Sequence, residues 1–258
     1  MKEIINIAIE AARETGEFLD RNFENTLTVE TKSDRNLATN LDKEAEANIV
    51  KKIKGAFPDH GILGEEGGHH SGGSDYLWIV DPLDGTHNFI RGIDVYGVSI
   101  GITHKDKFVA GVIFMPVSNE LYVAETGSGA FKNGKRIYVS GNTDIRTCSL
   151  SYDSSIRHNP DLILGILKDL SLEVFNIRMT GSSVRLLSYL SEGKFDASVE
   201  FCDKAWDFAA GAVLIEEAGG IITSLDGSPL TYKSQGYLAG NPIFYKKIKE
   251  IITPHLQK

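Results

Sequence analysis

Apolar residues recur at helical spacing over residues 4–23, where Ile5, Ala8, Ile9, Ala12, Gly16, Leu19 and Phe23 share one face. A second helix is expected near Thr39, with Asp42 three residues on in a capping-box arrangement. Leu41, Ala45, Ile49 and Ile53 form its apolar face, and Pro58 lies just past its end. The run Gly67-Gly68-His69-His70-Ser71-Gly72-Gly73 is too glycine-rich to predict regular structure. Strand patterns follow at 76–81, 96–104, 107–115, 120–125 and 130–139, several joined by short polar turns such as Asn133-Gly134.

Beyond residue 145 the pattern alternates. Helices are predicted at 160–169, 182–192 and 205–218, and strands near 148–153, 197–200, 220–225 and 237–240. A last helix opens with Asn241 as N-cap and Pro242 at its first position. The chain therefore divides into an α+β part with an antiparallel sheet, residues 1–144, and an α/β part, residues 145–258. No linker composition separates them, so a tight packing with a shared cleft is expected.

Composition narrows the function. Twenty-seven Lys and Arg against thirty-five Asp and Glu leave a net charge of −8. That balance disfavours non-specific binding to nucleic acid or an anionic membrane, both of which repel acid. The N-terminal residues lack a signal-peptide pattern and no apolar run is long enough for a bilayer, so a cytoplasmic location is expected. Cys148 and Cys202 stand in unrelated contexts without a Cys-x-x-Cys, which suggests two reduced thiols.

Three acidic segments carry the chemistry. Glu65-Glu66 follows the apolar pair Ile62-Leu63. In Trp78-Ile-Val-Asp81-Pro-Leu-Asp84-Gly85-Thr86 a hydrophobic strand ends directly in Asp, and a second Asp follows across a Pro-containing turn. Asp207 sits between Trp206 and Phe208 at the start of an apolar helix. Taken singly they read as a solvated turn, turn residues and a helix-dipole partner. Together they place like charges where burial costs several kcal/mol each unless something neutralises them. A hard divalent cation with oxygen ligands does so. Asp81, with two carboxylate oxygens, can bridge two such ions, and the turn presents the Leu83 carbonyl, a ligand set suited to two-metal phosphoryl transfer. Gly85-Thr86-His87-Asn88 can open a short helix whose free N–H groups receive a phosphate. No nucleotide-binding Gly-x-x-x-x-Gly-Lys loop and no Gly-x-Ser-x-Gly elbow occurs.

The run from Trp78 to Phe89 resembles the first signature of the inositol monophosphatase family, and Trp206 to Gly211 with Glu217-Ala-Gly-Gly220 resembles the second. Gly64-Glu65-Glu66, the segment Asn36 to Asp42, and Gly127 to Gly134 are also similar to that family, and all the matches are collinear. The resemblance implies a layered α-β-α-β-α sandwich of the sugar-phosphatase type and a magnesium-dependent phosphomonoesterase with two or three Mg2+ per site. By matching positions it implies Glu65, Asp81, the Leu83 carbonyl, Asp84 and Asp207 as metal ligands. Thr86 and Asp42 match the pair that orients the attacking water, so Thr86, Asp42, Glu65 and Asp84 are the implied catalytic set. Gly85 and Thr86 would hold the phosphate, and Gly181, Ser183, Glu200 and Asp207 would contact the substrate. Lithium sensitivity and a homodimer are implied by resemblance alone.

This sequence departs from the family pattern at Asn36, Ala38, His87 and Ser182-Ser183; the serines bear on polyol contacts. His69-His70 read as a solvated loop or closers over a third metal. Arg178 and Lys204 read as solvated or as contacts for a second phosphate. Trp78, Trp206 and Phe208 read as core. Inositol monophosphate or a related sugar or polyol phosphate is the expected substrate. Fructose-1,6-bisphosphatase or dual activity, histidinol phosphatase, 3′-phosphoadenosine 5′-phosphate phosphatase and a non-catalytic role alongside RNA or transcription stay open. The last phosphatase usually carries Lys-Glu-Phe where this chain has His87-Asn88-Phe89.

Overall fold

Helix α1 (Lys2–Asn22) buries Ile4, Ala8, Ala11, Ala12 and Leu19, the inward stripe of an amphipathic helix. The computed structural model describes residues 1–23, 29–31 and 37–257; Asn36, in the segment before Asp42, lies outside them. A small ribbon, β1 (Val29–Thr31) with β2 (Leu37–Thr39), leads into α2 (Asn40–Ala56). The predicted capping box forms there: Asp42 Oδ2 accepts the Thr39 N–H at 2.8 Å, while Leu41 N–H reaches the Thr39 hydroxyl at 3.1 Å.

The next strands build one large sheet. They are β3 (Gly61–Gly64), β4 (Gly68–His70), β5 (Tyr76–Asp84), then, after the short helix α3 (Thr86–Ile90), β6 (Gly97–His104), β7 (Lys107–Met115), β8 (Glu120–Glu125), β9 (Gly129–Lys132) and β10 (Lys135–Arg136). Their order is β10-β9-β8-β7-β6-β5-β3-β4, antiparallel except for the β3–β5 pair. Two expectations change. The glycine-rich 67–73 segment is not wholly irregular, because β4 pairs with the free edge of β3. The strand range predicted over 130–139 is divided into a tight hairpin, β9–β10, by the turn expected at Asn133-Gly134, both with positive φ.

The second sheet comes from later residues: β11 (Ser149–Tyr152), α4 (Pro160–Glu173), β12 (Asn176–Arg178), α5 (Ser183–Ser191), β13 (Ala197–Glu200), α6 (Ala205–Glu217), β14 (Ile221–Thr223), β15 (Tyr237–Gly240) and α7 (Pro242–Leu256). Its order is β12-β11-β13-β15-β14, with β11 parallel to both neighbours. β3 and β12 were not anticipated, being too short for a periodicity to register.

The layers follow from which faces are apolar. α1 and α2 cover the outer face of the large sheet. α5 and α6 lie between the sheets, and α4 and α7 cover the outer face of the second. This is the α-β-α-β-α sandwich. α6 is apolar nearly all round because it is covered on both sides. Its Ala209-Ala210 backbone sits directly on Gly101 and Gly111, paired across β6 and β7, where a Cβ would have no room. No helix among the described residues is long and apolar enough to cross a membrane.

Candidate active site

The site is built at the end of β5. Ile79 and Val80 are buried, and the strand continues through Asp81, Pro82, Leu83 and Asp84 with a register shift between the two acids. Pro82 lacks an N–H, so the ladder is interrupted there in any case. Asp81 and Asp84 are 1% and 7% exposed. The Leu83 N–H turns back onto Asp81 Oδ1 at 3.0 Å. Gly85 then takes a left-handed φ of 84°, which starts α3.

Asp207 arrives from the other part of the chain. It is the third residue of α6, and its Oδ2 accepts the Lys204 N–H at 2.6 Å. Ser99 Oγ on β6 donates to the Trp206 carbonyl at 3.1 Å, which pins the start of α6 over the sheet. One ligand atom each from Asp81, Asp84 and Asp207 lie within 4.8 Å of one another, so this acidic cluster, two members buried and Asp207 half-buried, can hold a metal ion. Glu65 lines the same cavity outside that tight group.

The electrostatics report the crowding. Burial pushes Asp81 well above the ordinary carboxylate range, and the charges of Glu65, Asp84 and Asp207 push further. Burial, then Asp203 and Asp84, raise Asp207 in the same way. Burial lifts Asp84 to about 6; the Ser182 hydroxyl and the Val184 and Ser183 N–H groups hold it from going higher. These three donors are the N-terminus of α5, so Asp84 also anchors that helix.

Thr86 stands beside the acids. Its hydroxyl lies 2.9 Å from the Leu83 carbonyl and 3.1 Å from Asp42 Oδ1. Asp42 is 1% exposed and its other oxygen is held by Thr39. Asn88, on α3, donates to Val95 O at 2.9 Å and Thr180 O at 2.8 Å, and so ties α3 to the turn at Gly181.

Glu65, Asp81, Leu83, Asp84, Gly85, Thr86, Gly181, Ser183, Glu200 and Asp207 all line one cavity of about 980 Å³. Asp42 stands behind Thr86 rather than in the wall. Lys204 is at the wall and exposed, whereas Arg178 lies on the edge strand β12, outside the cavity, and donates to its own neighbour's carbonyl. His69 and His70 are exposed on β4 and do not reach the cavity. Trp78 and Phe208 are core; Trp206 is half-buried, packs on the core and also lines the cavity.

Sequence reasoning missed several residues here. Glu46 on α2 is 3% exposed and accepts the Glu66 N–H at 2.8 Å and the Gly67 N–H at 2.6 Å, holding the loop that carries Glu65. The available signal was its position four residues after Asp42, beside Ala45 and Ile49 on a buried face. Asp153, Arg157, His158 and Asp203 also line the cavity.

Comparison with known proteins places these features. The family model for the inositol monophosphatase family matches residues 1–258. The Nus factor SuhB of Pseudomonas aeruginosa is 37% identical over 265 residues, covering 99% of this chain and 98% of that protein. A fructose-1,6-bisphosphatase/inositol-1-monophosphatase of Aquifex aeolicus is 34% identical over 261 residues, covering 100% of this chain and 98% of that one. The crystal structure of the extragenic suppressor protein suhB from Bartonella henselae superposes with a TM-score of 0.94 at 33% identity, covering 97% of this chain and 98% of that chain.

Proposed function

The chain belongs to the inositol monophosphatase family, and from that premise we propose that it is a magnesium-dependent phosphomonoesterase acting on inositol monophosphate or a related sugar or polyol phosphate. In this reading residues 1–144 carry most of the metal site and residues 145–258 complete it with Asp207 and the substrate wall. The observation that carries it is the cluster of Asp81, Asp84 and Asp207, like charges held together with ligand atoms within 4.8 Å. A hard, all-oxygen donor set of this kind fits Mg2+, with the Leu83 carbonyl and Glu65 as further ligands. Bound there, the cations neutralise phosphate charge and make water a better nucleophile.

The chain's own groups do the positioning. Asp42 Oδ1 and the Leu83 carbonyl both accept from Thr86, which has one hydroxyl proton. With that proton engaged, the Thr86 oxygen accepts a hydrogen bond from water and aims its lone pair at phosphorus. The Gly85 and Thr86 N–H groups at the start of α3 face the phosphate oxygens. Gly181, Ser183 and Glu200 meet the alcohol that leaves. Catalysis is then positioning and electrostatic stabilisation.

A second reading, a Nus-factor role, is favoured by the names of relatives such as the Pseudomonas protein. Pull-down against transcription proteins tests it separately. The phosphatase reading is tested by phosphate release from inositol-1-phosphate, fructose-1,6-bisphosphate, histidinol phosphate and 3′-phosphoadenosine 5′-phosphate, with magnesium and with added lithium. Asp84→Asn is expected to lower magnesium-dependent turnover by at least about 10²-fold, with circular dichroism unchanged. Full turnover in that variant would overturn the site.

A further inference from the structure

The cavity has a second pair of acids, outside the tight group of Asp81, Asp84 and Asp207. Glu200, the last residue of β13, is 4% exposed and lines the cavity. Among the described residues no side chain or backbone group donates to its carboxyl. Three residues on, Asp203 lines the same cavity, and its Oδ2 is buried with no hydrogen-bond partner. Asp203 exerts the largest charge effect on Glu200. A buried carboxylate oxygen without a donor costs on the order of 1–3 kcal/mol or more. At a cavity wall, a ligand can supply the missing donor.

The neighbouring groups do not fill that role. Asp153 spends its oxygens on the Ser155 and Phe201 N–H groups, at 2.5 and 2.9 Å. The Ser183 hydroxyl faces Asp203 and favours its charged form. Arg157 and His158 have partners of their own, and Lys204 is exposed at the cavity mouth. Once divalent cations offset Glu65, Asp81, Asp84 and Asp207, the ester phosphate brings two further negative charges. A second phosphate on the leaving group would then meet Glu200 and Asp203 at close range, whereas a hydroxyl or an ammonium would donate to both.

We propose that Asp203 is a specificity-determining residue: with Glu200 it forms a two-carboxyl wall that accepts a leaving group carrying adjacent hydrogen-bond donors and turns away one carrying a second phosphate. The inference rests on the phosphomonoesterase reading and names its substrate class.

The test is calorimetry on calcium-loaded protein with inositol-1-phosphate, histidinol phosphate and fructose-1,6-bisphosphate, run beside steady-state kinetics with magnesium. Wild type is expected to bind both monophosphates at least about tenfold more tightly than the bisphosphate. Measured at pH 9, above the value of about 8 to which burial raises Asp203, Asp203→Asn keeps the shape and removes the charge; the gap narrows about tenfold, through KM and Kd rather than kcat. A larger loss for histidinol phosphate than for inositol-1-phosphate identifies an ammonium as the donor, and equal losses identify hydroxyls. Asp203→Ser repeats the test should the Asn variant fold poorly, as circular dichroism reports. If the variants change all three ligands by one factor, or wild type prefers the bisphosphate, the inference is overturned. Ordered binding with no hydrolysis of any ligand would instead sink the phosphomonoesterase reading and leave the wall standing.

Discussion

Two regions of this molecule bury acids, and they neutralise them in opposite ways. In the cavity, Asp81, Asp84, Glu200, Asp203 and Asp207 are all pushed up by burial and, apart from Asp84, by one another. Where β8, β9 and α5 meet, Glu120 is also partly buried, yet it falls to about 2. Burial works against that fall, but Lys132, Arg185 and Ser118 overcome it. Arg185 Nη1 reaches Glu120 at 2.6 Å, and Glu192 takes Lys132 and Lys194, each at 2.8 Å. One region carries its own cations; in the other, among the described residues, no cation pairs with Asp81, Asp84 or Asp207, although Arg157 and Lys204 stand elsewhere in the wall. Helix α5 belongs to both, with Ser182 to Val184 on Asp84 and Arg185, one residue later, on Glu120. A cluster of acids is therefore informative only once the cations beside it are counted.

The largest effects come from removing one acid from each region. Asp81→Asn relieves repulsion in the metal-free protein, so its thermal midpoint in EDTA should rise while magnesium-dependent phosphate release falls by about 10³-fold. Glu120→Gln should do the reverse. It leaves Arg185 and Lys132 without a full partner and costs about 2 kcal/mol, below the usual figure for a buried pair because Glu120 is 16% exposed. Turnover should stay near wild type. If both variants lower the metal-free midpoint alike, the two regions do not differ as described.

How far the sequence foretold this depends on the interaction that places each residue. Asp81 and Asp84 were legible because a buried strand ending in Asp-Pro-Leu-Asp is a local conflict, visible without neighbours. Asp207 was legible for the same reason, set between Trp206 and Phe208. Asp42 was half legible: the capping box is local, but its reach to Thr86 spans 44 residues and came only from resemblance. Asp203 in Cys-Asp-Lys carries no such local conflict, and only tertiary packing, beside the Ser183 hydroxyl at the start of α5, buries its oxygen. Strand β4 depends on the free edge of β3, a tertiary partner that overrides poor strand propensity. In α6 the expected helix formed, but its covering on both faces erased the periodicity that would have shown which side carries Asp207.

A pH series sharpens the comparison at somewhat smaller amplitude. Asp84 titrates near 6 and Asp203 near 8 in the folded protein, both above the ordinary value of 3.8. Between those values the folded state holds protons that the unfolded chain has lost, so metal-free stability falls as pH rises from about 4 to about 8. Glu120, lowered to about 2, stabilises above its ordinary 4.5 and loses that contribution as pH falls toward 2. Urea unfolding in EDTA should therefore show a maximum near pH 4–5 and a decline of a few kcal/mol toward pH 8, which magnesium removes. A metal-free protein that gains stability toward pH 8 would contradict the cavity's assignment.

The smallest effect concerns Glu46, which joins the acidic loop to the fold. Its two oxygens take the Glu66 and Gly67 N–H groups, and Gly64 and Gly67 leave no room for a Cβ against that same carboxyl. The carboxylate thus sets the path of the segment carrying Glu65. Glu46→Gln keeps one acceptor and turns an NH2 group toward the other N–H, which loosens the loop at a cost of about 1 kcal/mol. Because Glu65 is the one outlying member of the acidic set, the loosening should raise the half-saturating magnesium concentration several-fold, about 1 kcal/mol of metal affinity, and leave kcat at saturating magnesium nearly unchanged. Magnesium titrations of phosphate release read both quantities. A variant that loses kcat at saturating metal, or loses only thermal stability, would show that Glu46 supports the fold without aiming Glu65.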